Sequence, residues 1–155
     1  MKNRLYGSLA VFCCTLALVI AVPAHGADNA WSSSGLDSRI VYALVIDPVT
    51  TSTLYAATSA GVSKSTDGGA TWVDVNTGFT ITDVRCLVID PVTTSTLYAG
   101  TNGGGVFKTT DGGTGWDPVV TGLTNLFVYS LAINPDNHQI LYAGTAGGGG
   151  FWTTD

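Results

Sequence analysis

A sequence repeat constrains this chain more than any other feature. Residues 41–58 read VYALVIDPVTTSTLYAAT, residues 84–101 read VRCLVIDPVTTSTLYAGT, and residues 128–145 read VYSLAINPDNHQILYAGT. The offset is 43 positions between the first two copies and 44 between the last two. Periods of this length are typical of architectures that use one supersecondary unit several times in a row. The repeat therefore predicts a series of similar units.

Each repeat unit reads as four short strands. In the second unit, residues 84–89 are mostly apolar at both odd and even positions, which is typical of a strand covered on both faces. Asp90-Pro91 ends this strand, because proline lacks the N–H that a continuing ladder needs. The strands that follow are predicted at 96–101, 106–110 and 115–120. Four strands in about 44 residues, with no helix, are typical of one β-propeller blade.

The predicted fold class is all-β: an incomplete β-propeller of about three four-stranded blades that follows a signal peptide. Lys2 and Arg4 precede an apolar run at 9–22, and small residues follow at plausible cleavage spacing. The run is shorter than the stretch of about 20 residues that a membrane-spanning helix needs. Cleavage and export are therefore predicted, to the extracellular space or the periplasm, with no membrane span in the mature chain. The predicted domains are a signal peptide at 1–26 and a blade fragment at 27–155, with an outer strand at 30–36, blade 1 at 40–77, blade 2 at 83–121 and partial blade 3 at 127–155.

The number of predicted blades is small for a closed propeller. Propellers close with about four to eight blades, and the third copy of the repeat stops at Asp155, which aligns with Asp67 and Asp111. We therefore expect the chain to be a piece of a longer protein, and assembly with further copies is the alternative. Open edge strands leave unpaired N–H and C=O groups, so we also expect self-association.

Charge and cysteine content exclude several classes of function. The chain contains no glutamate, and after residue 26 its cations are the scattered Arg39, Lys64, Arg85 and Lys108. Nucleic-acid binding needs clustered Lys and Arg to neutralise phosphates, so no nucleic-acid partner is predicted. Cys86 lies in an apolar run and is the only cysteine after the predicted leader, which predicts a buried small residue. No metal and no cofactor are predicted.

Two turns between the third and fourth predicted strands share one motif. Residues 65–72 (STDGGATW) fit the pattern S/T-x-D-x-G-x-T-W, and residues 109–116 (TTDGGTGW) fit it with glycine in place of the second threonine. The aspartate can accept backbone N–H groups a few residues on, the glycines tolerate positive φ, and the tryptophan supplies a large apolar surface. These roles are structural, so we expect the aspartates to be neither catalytic acids nor calcium ligands. The residues assigned to such turns are Ser65, Asp67, Gly69, Thr71, Trp72, Thr109, Asp111, Gly113, Trp116 and Asp155.

The turn motif and its repeat resemble the Asp-box (BNR repeat) propellers. That superfamily includes sialidases, xyloglucan-specific glucanases, sortilin-type receptors and the photosystem II assembly factor. The stretch VIDPVTTSTLYAGTNGGGVFKTTDGGTGW, residues 88–116, is most similar to the repeats of xyloglucanase-like and related secreted propellers. The resemblance covers essentially the whole mature chain and implies the fold. It does not select a function, because the same blade serves hydrolases, receptors and assembly factors.

Candidate functional residues are few. The resemblance implies an arginine cluster for a sialidase-like site, and only Arg39 and Arg85 are available. It implies two aspartates for a xyloglucanase-like site, because glycosidic cleavage needs two carboxyl groups around one bond. No aspartate here matches those positions, so the catalytic residues are left unassigned. Asp83 and Arg85 interrupt a repeat that has tyrosine at the Arg85 position in the other copies. They are the candidate ligand contacts at the channel mouth, with a simple ion pair as the alternative.

The function predicted from the sequence is a secreted or periplasmic propeller module for binding or scaffolding, without catalysis of its own. Its partner is predicted to be a carbohydrate or another protein. The alternative is the N-terminal part of a xyloglucanase-like or sialidase-like glycoside hydrolase. A channel lined by tyrosine, serine and apolar groups favours the module, and two acidic residues that face one cleft favour the hydrolase.

Overall fold

The computed structural model describes residues 32–154. The predicted signal peptide, the first two residues of the predicted outer strand and Asp155 lie outside the described residues. The described chain forms three antiparallel sheets, each with its strands in sequence order. Sheet 1 contains β1 (Val41–Ile46), β2 (Leu54–Thr58), β3 (Gly61–Ser65) and β4 (Val73–Asp74). Sheet 2 contains β5 (Val84–Ile89), β6 (Leu97–Thr101), β7 (Val106–Thr109) and β8 (Asp117–Pro118), and sheet 3 contains β9 (Val128–Ile133), β10 (Ile140–Thr145) and β11 (Gly149–Thr154).

This architecture confirms the predicted fold class, an all-β incomplete propeller. The three sheets lie within the ranges 40–77, 83–121 and 127–155. Between residues 32 and 154 no helix is long and apolar enough to cross a membrane. The predicted free cysteine, Cys86, is buried, and its burial raises the pKa of the thiol to about 11.

The three sheets share one register. Tyr55 of β2 pairs with Val45 and Lys64, and Tyr98 of β6 pairs with the equivalent Val88 and Lys108. In sheet 3 the corresponding central residue is Tyr142, which pairs with Ala132 and Trp152. Because side chains alternate along a strand, each residue lies on the same face of its sheet as its counterparts in the other two sheets.

Each sheet has two faces, and both kinds of face take part in the core. We call one the tyrosine face, which in sheet 1 contains Ala43, Val45, Tyr55, Ala57 and Val62. We call the opposite one the leucine face, which in sheet 2 contains Leu87, Ile89, Leu97, Ala99 and Phe107. These two sets pack together in one cluster. The tyrosine face of sheet 2, with Tyr98 and Val106, packs in the same way on Leu131, Leu141 and Ala143 of sheet 3. One type of contact therefore joins both pairs of neighbouring sheets.

The turn tryptophan of sheet 2 fills the outer end of the contact between sheets 1 and 2. Trp116 is buried, and its ring centroid lies 4.9 Å from that of Phe79, which lies equally close to Phe107. The indole Nε1 donates to the Val75 carbonyl at 2.9 Å. The tryptophan thus ties the turn of one sheet to the outer edge of the sheet before it.

The predicted outer strand at 30–36 needs a correction over the part that the structure describes. Residues 32–36 form no strand. The fourth and outermost position of sheet 1 is filled by β4, so this segment does not supply the outer strand of that sheet. It is held by side chains: Trp72 Nε1 donates to the Ser34 carbonyl at 2.7 Å, and Ser33 Oγ donates to Asp37 Oδ1 at 2.6 Å.

Candidate functional site

The aspartates of the two turns are occupied by hydrogen bonds within the turn. Asp67 Oδ1 accepts from the Thr71 N–H at 2.9 Å and from Ser65 Oγ at 2.7 Å, and Asp67 Oδ2 accepts from Thr71 Oγ1 at 2.6 Å. In the second turn, Asp111 Oδ1 accepts from Thr109 Oγ1 at 2.7 Å and from the Gly115 N–H at 3.1 Å. Gly115 has no hydroxyl, so the second turn lacks the counterpart of the Thr71 side-chain bond.

These bonds favour the ionised carboxylates. The Thr71 hydroxyl contributes most to lowering the pKa of Asp67 to about 2, and the Thr109 hydroxyl contributes most to lowering the pKa of Asp111. A group with such a pKa is deprotonated at neutral pH and cannot serve as a general acid there. Within residues 32–154, no three His, Cys or Asp side chains are grouped so as to hold a metal ion.

We expect Asp67 to make folding pH-dependent in acid. Its pKa is about 2 in the folded chain against an ordinary 3.8, so its contribution to stability is present above about pH 4 and is lost as the pH falls toward 2. Asp67→Asn should therefore flatten the fall of the urea midpoint over this range, and Thr71→Val should flatten it in part. Addition of calcium should not change the urea midpoint of the wild-type chain or of Asp67→Asn. A pH profile identical to wild type in Asp67→Asn, or a calcium-dependent rise that this variant loses, would contradict the assignment.

A row of three side chains lies where the first strands of the sheets begin. β1, β5 and β9 each start with valine, and the second residue is Tyr42, Arg85 and Tyr129 in turn. The guanidinium carbon of Arg85 lies 4.3 Å from the centroid of the Tyr42 ring and 5.9 Å from that of Tyr129. Both distances are within the range of cation–π attraction. The central cation is therefore flanked by an aromatic ring from each neighbouring sheet.

Polar contacts extend this row into a network. Arg85 Nη2 donates to Asp83 Oδ2 at 2.6 Å, and Asn102 Nδ2 donates to the same oxygen at 2.8 Å. The Tyr129 hydroxyl donates to Asn102 Oδ1 at 3.3 Å. The hydrogen bond from Arg85 to Asp83 is the largest cause that raises the pKa of Arg85, so the guanidinium stays charged. The structure thus brings the predicted Asp83 and Arg85 together and adds Asn102 and the two tyrosines.

Two atoms of the network lack hydrogen bonds. Asp83 Oδ1 and Arg85 Nε are buried and have no hydrogen-bond partner in the described part of the chain. Buried polar atoms without partners are uncommon and costly. The ion pair is therefore only partly satisfied, and the Tyr129 side chain beside it is 50% exposed.

The repeat carries a signal for Asn102, which is not among the predicted site residues. Asn102 aligns with Ser59 in the first copy and Ala146 in the third, so it departs from the repeat in the same unit as Asp83 and Arg85. The three departures lie in one network. The flanking tyrosines follow the repeat, and only their position beside Arg85 distinguishes them.

Three other aspartates of the described chain serve turns or an ion pair. Asp47 Oδ1 accepts from the Val49 N–H at 2.8 Å, and Asp90 Oδ1 accepts from the Val92 N–H at 2.8 Å. Asp74 forms an ion pair with Arg39. These contacts are those of turn caps and charge pairs. They identify no general acid and base, and the catalytic positions stay unassigned.

A groove of about 340 Å³ between the outer parts of sheets 2 and 3 is a weaker candidate. It is lined by apolar and small side chains, among them Val119, Leu123 and Phe151. The corresponding space between sheets 1 and 2 is filled by Trp116 and Phe79. The groove is therefore a site of core packing in this type of sheet contact, and the candidate site is the row at Arg85.

Comparison with known proteins gives structural relatives. Neither a protein-family model nor a curated protein sequence matches this chain. Among solved structures, an ancestral GH74 enzyme is 26% identical with a TM-score of 0.60, over 68% of this chain and 13% of that enzyme. The GH74 enzyme of Niastella koreensis is 25% identical with a TM-score of 0.61, over 74% of this chain and 21% of that enzyme.

A third solved structure agrees in fold. The GH74 xyloglucanase of Xanthomonas campestris is 22% identical with a TM-score of 0.54, over 64% of this chain and 17% of that enzyme. At this identity the likeness concerns the fold alone. The chain spans between 13% and 21% of the length of the three enzymes. It is therefore a β-propeller segment that resembles part of the GH74 glycoside hydrolases in structure.

Proposed function

We propose that this chain is an exported propeller segment of the Asp-box type that binds a polysaccharide through the row Tyr42, Arg85 and Tyr129, without catalysis of its own. The observation that carries the proposal is the charged guanidinium held between two tyrosine rings. The pattern of residues 1–26 supports export. The hydrogen bonds of Asp67 and Asp111 support turns of the Asp-box type.

The row suits a sugar for two chemical reasons. A pyranose ring has flat C–H faces that pack against aromatic rings, and the half-exposed Tyr129 offers such a ring. A sugar also carries hydroxyl groups around its rim. Arg85 supplies N–H donors, and Asn102 and Asp83 supply acceptors. Binding sites commonly combine aromatic surface with a few placed polar groups, as this row does.

Titration calorimetry with xyloglucan oligosaccharides tests the proposal, since one structural relative is a xyloglucanase. Arg85→Tyr gives this position the residue found in the other two copies. It should weaken binding at least about tenfold, or about 1.4 kcal/mol, because the ion pair and its donors are lost. Tyr129→Ala should weaken binding similarly because the exposed ring is lost.

Val92→Ala is the control, because it removes an exposed apolar side chain outside the row. It should leave the affinity unchanged. No measurable binding by the wild-type chain, or equal losses in Tyr129→Ala and Val92→Ala, would contradict the site. Release of reducing sugar from xyloglucan by the purified chain would contradict the absence of catalysis.

The second candidate function is part of a glycoside hydrolase. It is favoured by the GH74 identity of the three structural relatives and by the small share of each that this chain covers. In that case the row at Arg85 is one section of a substrate cleft. Hydrolysis then needs two carboxyl groups about 5–9.5 Å apart across the bond. Sugar release that appears only when further blades are supplied supports this candidate over the first.

A further inference from the structure

The tyrosine face of sheet 3 is open, although the same face is covered in sheets 1 and 2. Tyr55 and Tyr98 are buried by the leucine face of the next sheet, while Tyr142 at the equivalent position is 47% exposed. Trp152, its neighbour on β11, is 66% exposed. Large exposed apolar surface of this kind marks an interaction site.

The leucine face of sheet 1 is open as well. Leu44 is 57% exposed, whereas Leu87 at the equivalent position of sheet 2 is buried. Ile46 and Val41 on the same strand are also exposed, and Val84, which corresponds to Val41, is fully buried. The chain therefore displays counterparts of both halves of its internal contact, one at each end of the row of sheets, with one difference: Ser63, covered by the Arg39–Asp74 ion pair, stands where sheet 2 has Phe107.

A polar contact of the internal interface is also left open. The Tyr55 hydroxyl and the Lys64 Nζ of sheet 1 both donate to the Gly112 carbonyl in the turn of sheet 2, at 3.2 and 3.0 Å. A Cβ built on Gly112 would lie 3.2 Å from each of these atoms. Gly68 occupies the same place in the turn of sheet 1, and no described atom beyond its own chain neighbours lies within 4 Å of its Cβ position.

Sheet 3 carries donor side chains at the positions equivalent to Tyr55 and Lys64. Tyr142 has the hydroxyl that corresponds to Tyr55, and Trp152 stands where sheet 1 has Lys64. The indole N–H is a donor, as the lysine ammonium is. Both groups on sheet 3 can therefore donate to a turn carbonyl in the way their counterparts donate to Gly112.

We propose that the tyrosine face of sheet 3 binds the leucine face of sheet 1 of a second copy of this chain. The contact is head to tail and repeats the contact already present twice within each chain. A head-to-tail contact closes into a ring when the rotation allows it. Two chains joined through both pairs of faces give a ring of six sheets, within the range of known propellers.

Light scattering coupled to size-exclusion chromatography of the purified, exported chain tests the proposal. We expect a single species with the mass of two chains. Leu44→Asp and Tyr142→Asp each place an unpaired charge on one of the two faces and should each give the mass of one chain. Circular dichroism should show both variants folded, because both side chains are exposed.

Mixing the two variants distinguishes head-to-tail contact from pairing of like faces. The Leu44→Asp chain keeps its tyrosine face and the Tyr142→Asp chain keeps its leucine face, so the mixture should recover the mass of two chains. Val73→Asp is the control, because Val73 is exposed, lies outside both faces and has Asp117 as its counterpart in sheet 2. It should leave the wild-type mass unchanged.

Four results would overturn the proposal. They are a wild-type chain with the mass of one copy at its highest soluble concentration, a wild-type chain of open-ended size, a Tyr142→Asp chain that keeps the mass of two, and a mixture of the two variants that does not associate.

Discussion

Replacing Trp116 with alanine is expected to lower the free energy of unfolding by about 3–5 kcal/mol, the usual cost of truncating a buried aromatic side chain. The indole fills the outer end of the contact between sheets 1 and 2, with its ring centroid 4.9 Å from that of Phe79. The variant also removes the donor to the Val75 carbonyl. Urea unfolding followed by circular dichroism, at one protein concentration, measures the loss.

Trp72→Ala is the matched control for this result. Trp72 has the equivalent position in the turn of sheet 1, and its Nε1 donates to the Ser34 carbonyl at 2.7 Å and the Gly69 carbonyl at 3.1 Å. Its side chain is only partly buried, so the variant should cost less than Trp116→Ala. Equal costs for the two variants would show that burial between sheets is not what makes Trp116 important.

The parts of the fold that repeat were predictable because each strand has its own pattern of apolar residues. The first strand of the second unit was expected at 84–89, and β5 covers these residues. The third was expected at 106–110, and β7 ends one residue earlier. The repeat period, the turn residues and the odd or even positions of the apolar residues all indicate the same register in each copy. Agreement between several local signals is what makes such a prediction reliable.

The fourth strands and the contacts between distant residues were harder to predict. The fourth strand of sheet 2 was expected at 115–120, but β8 contains only Asp117–Pro118. In sheet 1, Ser63 stands where sheet 2 has Phe107, and the Arg39–Asp74 ion pair covers it: Arg39 Nη1 donates to Ser63 Oγ at 2.9 Å. Arg39 and Asp74 are far apart in sequence, and no local pattern predicts that they pair.

Part of the candidate site could likewise be predicted from the repeat, and part of it could not. Asp83 and Arg85 are predictable because they break the repeat, and they form the ion pair that is one of the two predicted alternatives. The contact of Arg85 with Tyr42 and Tyr129 depends on how three neighbouring sheets are placed. A repeat predicts which residues are equivalent. It does not predict which equivalent residues come within contact distance of each other.

Replacing Gly78 with alanine is expected to cost about 2–5 kcal/mol of stability. Gly78 has a φ of +98°, and a Cβ built on it would lie 2.1 Å from the Trp116 carbonyl oxygen. The left-handed conformation costs a non-glycine residue about 1–2 kcal/mol. The clash adds about 1–3 kcal/mol because backbone, which cannot rotate away, has to shift. The shift also strains the bond from the Trp116 N–H to the Thr77 carbonyl, 2.9 Å long.

Gly122→Ala separates these two costs. Gly122 is the equivalent residue after sheet 2, with a φ of +81°, and no described atom beyond its own chain neighbours lies within 4 Å of its Cβ position. It should therefore lose only the conformational part, about 1–2 kcal/mol. Urea unfolding of the two variants under the same conditions gives the difference, which measures the close approach of sheet 2 to the turn at Gly78. If both variants lost the same amount, the contact with Trp116 would not constrain this position, and the two sheets would approach less closely at Gly78 than the 2.1 Å Cβ distance implies.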